Sequence, residues 1–150
     1  MGYLRISHTW AALMAVGLLL SGCQAPETAI PPTLTPPPLI TSAEMLIGSW
    51  EPLAKTADSM FLQINADGAC RQSFTLDGLT DAPEVECTYT FEETDLAMTA
   101  VKLNNVSGCP SLTGKYEVWS LAEDQIQLVT RQDTCLPRIR STSGKYQRLP

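Results

Sequence analysis

Histidine is all but missing from this chain: one residue, His8, in 150. Strong bases are scarce too, 10 against 16 acidic residues. No apolar run reaches the roughly 20 residues that a membrane-spanning helix needs. No stretch carries the apolar period of a helix, and no two cysteines stand as a CxxC pair. Each absence excludes something. The apolar run Ala11–Leu20 follows a start whose only strong base is Arg5 and ends in small residues, which is the layout of a secretory signal over residues 1–22. Its removal takes His8 with it, so the mature chain has no imidazole for general base work, a triad or a metal site. The basic residues less Arg5 leave nine against 16 acids, a formal balance of -7, and nucleic acid, which demands a basic surface, is not an expected partner. No nucleophile elbow, phosphate loop or metal motif is present. Glu92 and Glu93 are adjacent on an expected strand, so they point to opposite faces and cannot flank one glycosidic bond. Neither an enzyme nor a cofactor is expected.

What is present begins at Cys23. Leu20-Ser21-Gly22-Cys23 closes the apolar run and resembles the bacterial lipobox. That resemblance implies a cysteine acylated on sulfur that becomes the mature N-terminus, with the membrane as its partner through acyl chains. Two chains anchor stably where one binds only marginally, since each buried methylene adds about 0.8 kcal/mol. Gln24 stands where an aspartate often marks inner-membrane retention, so the resemblance points to the outer membrane or an outward-facing cell surface. Residues 23–44 form a tether with six prolines. Proline fixes φ and removes a backbone donor, and an extended polyproline segment of this length spans about 50 Å.

The folded unit is expected over residues 45–150. Period-2 patterns predict eight strands: Ile47–Leu53, Met60–Asn65, Ala69–Leu76, Glu84–Glu92, Leu96–Leu103, Gly114–Leu121, Gln125–Gln132 and Ser141–Leu149. Turn residues at Asn65-Ala66-Asp67-Gly68, Asp77-Gly78, Glu93-Thr94-Asp95 and Ala122-Glu123-Asp124 connect neighbours closely. Consecutive antiparallel strands with one apolar face favour an all-β, eight-stranded, up-and-down meander barrel, which removes both sheet edges. A two-layer sandwich is the alternative.

Four cysteines remain after Cys23. Cys70 and Cys87 average 78.5, near the middle of the hairpin turning at 77–83, and Cys109 and Cys135 average 122, at the turn 122–124. Partners opposite each other across a hairpin stand about 4.5–5.5 Å apart at Cβ, near what a disulfide requires. Cys70–Cys87 and Cys109–Cys135 are therefore the expected pairs, each within its own hairpin, and export permits oxidation. A four-thiolate zinc site is disfavoured because the cysteines are isolated.

The unit opens with Gly48-Ser49-Trp50, continues with Gly114-Lys115-Tyr116-Glu117-Val118-Trp119, and ends with Asp133-Thr134-Cys135-Leu136-Pro137-Arg138 and Gly144-Lys145-Tyr146. In these motifs it resembles the lipocalin-like (calycin) group of small bacterial lipoproteins. The resemblance implies a barrel whose mouth holds a small apolar ligand. It also implies that Trp50, after Gly48, lies across one barrel end under an arginine, with Arg138 at the matching position and Arg140 as its neighbour. An inward aromatic set of Phe74, Tyr89 and Phe91, joined by Phe61, Tyr116 or Trp119 according to register, is the candidate ligand lining. Tyr116 and Trp119, three apart, cannot both face inward without a bulge. The same aromatics serve equally as plain core, because eight short strands enclose a space that side chains alone can fill. Two functions are thus in view: an envelope lipoprotein that binds a small apolar molecule, or a module with a filled interior that binds an envelope protein through its loops and acidic face. An interior void well above about 300 Å³ favours the ligand carrier, and a filled interior counts against it.

Overall fold

A computed structural model describes residues 35–150. The expected signal segment, Cys23 and the expected tether as far as residue 34 lie outside the described residues. Eight strands follow in chain order and close into an antiparallel barrel: β1 Gly48–Pro52, β2 Phe61–Ile64, β3 Ala69–Ser73, β4 Val85–Glu92, β5 Asp95–Leu103, β6 Thr113–Ala122, β7 Gln125–Gln132 and β8 Gly144–Arg148. The up-and-down barrel is the fold, and the sandwich is excluded. The closing seam pairs β1 with β8, Trp50 opposite Arg148 and Pro52 opposite Tyr146.

Alternation decides which side chains go inside. Leu62 and Ile64 of β2, Leu96, Met98 and Ala100 of β5, and Ile126 and Leu128 of β7 are buried at every second position. Together with Trp50, Tyr116, Val118 and Tyr146 they fill the interior. On β4 the expected face holds: Cys87 is buried and Val85, Tyr89 and Phe91 pack against the core.

Three segments differ from expectation. β3 stops at Ser73, and a one-turn helix α1, Gly78–Asp81, follows and buries Leu79. A second helix, α2 Leu136–Thr142, stands between β7 and β8 where a strand was expected from Ser141. Its buried residues are Arg138, Ser141 and Thr142, which share one face at spacings of three and four. That face is polar, so no apolar period announces the helix; Pro137 in its first turn is the one start signal. The third difference is the end of the tether. Ile40 is only 2% exposed and belongs to the core. The Ile40 N–H donates to Val118 O and the Ser120 N–H to Pro38 O, each 2.8 Å. β5 pairs with β6 only as far as Glu117, and Pro38–Ile40 covers the edge beyond it.

Connections in an up-and-down barrel alternate between its ends. The tight turns 65–68, 93–94 and 123–124 fall at one end, with the approach to β1, which includes a 3-10 turn at Ala43–Met45. The longer connections 53–60, 74–84, 104–112 and 133–143 gather at the other.

Candidate functional site

The end with the tight turns is shut. Trp50, 1% exposed, donates its indole N–H to Leu46 O at 2.8 Å. The guanidinium that covers it belongs to Arg148, whose Cζ lies 4.2 Å from the ring centroid. Arg148 also donates to Ile47 O and Met45 O and stands 3.5 Å from Asp124. It thereby ties the chain leading into β1 to the last strand. Gly48 makes this possible: its φ is +134°, and a Cβ there would lie 2.8 Å from Arg148 Nη1. The covering role expected of Arg138 or Arg140 is thus filled by Arg148. The reason is positional: α2 carries both other arginines to the opposite end.

At that opposite end Asp133 organises the chain. Its carboxylate accepts from Arg138 Nε at 2.6 Å and Arg138 Nη2 at 2.8 Å, a two-point fork. It also accepts from Tyr116 Oη at 2.6 Å and the Cys135 N–H at 2.8 Å. Burial pushes this carboxyl up, but the bonds from Arg138, Tyr116 and the Cys135 N–H outweigh burial and hold it below the ordinary range. Burial first, and then the Asp133 hydrogen bond, push the Tyr116 phenol well above its usual value. The approach is close enough that a Cβ on Gly114 would lie 2.1 Å from Asp133 Oδ2, so glycine at 114 makes room for the clamp. Arg138 gives its third nitrogen to Leu112 O. The D-x-C-x-x-R pattern is therefore a structural fork that fixes the start of α2. The far end of α2 is held by Tyr146 Oη, which donates to Ser141 O and Thr142 O at 3.0 Å, and by Gln72 Nε2, which donates to Thr142 Oγ1 at 2.8 Å.

Both expected disulfides are present. Cys70 and Cys87 are direct register partners between β3 and β4, Cα atoms 4.8 Å apart. Cys109–Cys135 has the right partners but a different place. It lies beyond the ladder of β6 and β7 and staples the 104–112 loop to the start of α2. In the chain-entropy model each contributes about 3 kcal/mol.

Between α2 and the 104–112 loop lies a cavity of ≈ 390 Å³. Met60, Phe74, Val85, Leu103 and Val106 give it apolar walls, and Gln72, Asn105, Ser107, Arg140 and Ser141 add polar groups. The expected aromatic lining is not what forms it. Only Phe74, 43% exposed just past the end of β3, reaches the cavity. Tyr116 is core, with its hydroxyl on Asp133. Tyr89 and Phe91 pack on the core toward the shut end, where Tyr89 Oη donates to Asn65 O at 2.7 Å. Phe61 and Trp119 occupy the outward positions, because Leu62 and Val118 take the inward ones. The residues that do line the mouth come from loops and from the polar face of α2, where period-2 reasoning carries no signal. Among the described residues no group of three or more His, Cys, Asp or Glu side chains is placed to hold a metal ion.

Comparison with known proteins adds no relative: no family model, curated protein or solved structure matches the chain.

Proposed function

We propose that this protein is an exported, non-enzymatic lipoprotein, held at the cell envelope by acyl chains on Cys23, whose barrel captures a small and largely apolar molecule at its mouth. The observation that carries the binding part is the ≈ 390 Å³ cavity at the end where the long loops converge, within the ~300–1,000 Å³ range of small-molecule sites. The interior beneath it is filled, which rules out a ligand held inside the barrel and favours the protein-interaction reading there. The binding reading therefore rests on the mouth alone and on a small ligand. The two disulfides are compatible with an oxidising, extracytoplasmic location, and the lipobox resemblance supports the anchor. Native mass spectrometry of the protein purified from its own host tests the binding reading: a retained small molecule is expected, and a ligand-free spectrum under conditions that preserve weak complexes counts against it. Metabolic labelling with an alkyne fatty acid tests the anchor, with label expected on the wild type and absent from Cys23→Ser.

A second reading, docking of an envelope protein, has its own observation. Leu53, Phe74, Leu76, Leu112 and Leu136 are each 43–63% exposed and all stand on the long connections around the mouth. Clustered apolar exposure of this kind marks contact surfaces. Crosslinking in intact cells from a photoreactive residue at Leu136 separates the readings: a discrete protein adduct favours docking.

A further inference from the structure

The charges around the mouth are unevenly satisfied. Three ionic side chains line the cavity: Asp58, Arg138 and Arg140. Arg138 is 8% exposed and its charge is matched by the fork to Asp133. Arg140, two residues on, is exposed and has no carboxylate within ion-pair distance among the described residues. Asn105 and Ser107 bring an amide and a hydroxyl to the same cavity. No acid follows Asp133 in the chain, whereas Arg138, Arg140, Lys145 and Arg148 do, so α2 brings no negative charge of its own to that wall. Asp58 is the one carboxylate in the lining, and the Glu84 carboxylate stands close by, accepting from the Phe74 N–H at 3.2 Å. Met60, Phe74, Val85 and Leu103, at the ends of the neighbouring strands β2 to β5, supply apolar lining, with Gln72 among them.

A cavity with apolar lining from the ends of four neighbouring strands and one unmatched guanidinium from α2 suits a molecule of two halves. We propose that the ligand is a medium-length amphiphile with an anionic head: the head takes charge-assisted hydrogen bonds from Arg140, and the tail lies on Met60, Phe74, Val85 and Leu103. This rests on the mouth being a binding site and adds the chemical class of what it takes. A guanidinium offers planar, two-point recognition of a carboxylate or phosphate that lysine cannot reproduce. The filled interior sets a limit on tail length, because nothing longer than the mouth can be enclosed.

The test is calorimetric titration of the mature, non-acylated chain beginning at Gln24. The barrel closes on itself and its core is drawn from Ile40 to Tyr146, so this form keeps the whole fold. Three probes share one tail, decanoate, decanol and decyltrimethylammonium, each used below its micelle concentration. Decanoate is expected to bind tightest and decyltrimethylammonium weakest. Arg140→Ala is expected to weaken decanoate by about tenfold, as loss of one charge-assisted bond implies, and to leave decanol unchanged. Arg140→Lys should recover only part of the loss. Asp58→Asn should tighten decanoate. Added salt should weaken decanoate and not decanol, because the ion pair is solvent-exposed. Decanol binding as tightly as decanoate, or decyltrimethylammonium binding tightest, overturns the anionic head and leaves the mouth a binding site. Binding of none of the three removes both readings together.

Discussion

The two ends of this barrel hold their arginines in opposite ways. At the shut end Arg148 lies over the buried Trp50 and reaches two main-chain carbonyls. At the mouth Arg138 is locked to Asp133 while Arg140 stands at the cavity unmatched. One end spends its polar groups on closure, and the other keeps some in reserve. The first of these is the more costly to disturb. Trp50→Ala should lose about 3–5 kcal/mol by urea unfolding, the usual effect of emptying a buried tryptophan site. A loss below about 1 kcal/mol would show that the shut end is not part of the core, and the contrast between the ends would collapse.

Next in size is the clamp at the mouth. Asp133→Ala leaves Arg138 buried without its partner, which typically costs about 3 kcal/mol or more. Replacing Asp133 and Arg138 together by Leu and Met should recover much of that loss, since no charge is then stranded. The clamp also has a pH signature. The folded-state carboxyl lies below its unfolded value, so the unfolded chain binds the extra proton in acid. The contribution is full above an unfolded pKa of about 3.9 and fades as pH falls through the folded value. Wild type should therefore lose stability below about pH 4 more steeply than Asp133→Asn. Parallel acid limbs for the two proteins would place the clamp's strength somewhere other than the ionised carboxylate.

What could be read before the fold was known follows the physics of each segment. The strands were legible because each has one buried face, and the Gln125–Gln132 boundaries match residue for residue. Hairpin symmetry identified both disulfides, and for Cys70–Cys87 it also found the register. For Cys109–Cys135 the same symmetry had the partners right while both residues sit in loops, since opposition across a hairpin continues past the last ladder bond. α2 was hidden by its polar inward face, with Leu136 turned to solvent at 63% exposure. The covering arginine was misplaced for a related reason. A helix placed between Asp133 and Gly144 swings Arg138 and Arg140 to the mouth and leaves Arg148, on β8, as the partner of Trp50. Of the candidate lining Phe74 reaches the mouth cavity; Tyr89, Phe91 and Tyr116 face inward but pack as core, and Leu62 and Val118 hold the inward positions beside Phe61 and Trp119.

A smaller effect is expected from the arginine that shuts the first end. Arg148→Met removes the stack on Trp50 and the bonds to Ile47 and Met45 but keeps the aliphatic stem. A loss of about 1–2 kcal/mol is expected, from one partly exposed cation–π contact and one or two hydrogen bonds. Its counterpart at the mouth, Arg140→Met, should change stability by less than about 0.5 kcal/mol, as for an exposed side chain without partners. Thermal melts of the two variants side by side compare the ends directly. Equal losses would mean that Arg140 is structural after all and is not held ready for a ligand.

The least effect on stability is expected from Leu136 on the apolar rim, and that is where the contrast becomes most informative. Leu136 is 63% exposed, so removing it gives up little burial, whereas Phe74, 43% exposed, has more than half of its surface covered. Leu136→Ser should change the unfolding free energy by no more than about 0.5 kcal/mol, whereas Phe74→Ser should cost about 1–2 kcal/mol for the part of the ring that is buried. Phe74→Ser should also reduce the fluorescence of 1-anilinonaphthalene-8-sulfonate bound to the native barrel, because Phe74 lines the cavity. Leu136→Ser should leave that signal unchanged, because Leu136 lies on the rim outside it. A matching drop for both variants would make rim and cavity one continuous contact surface, and would favour a docked protein over a small molecule in the mouth.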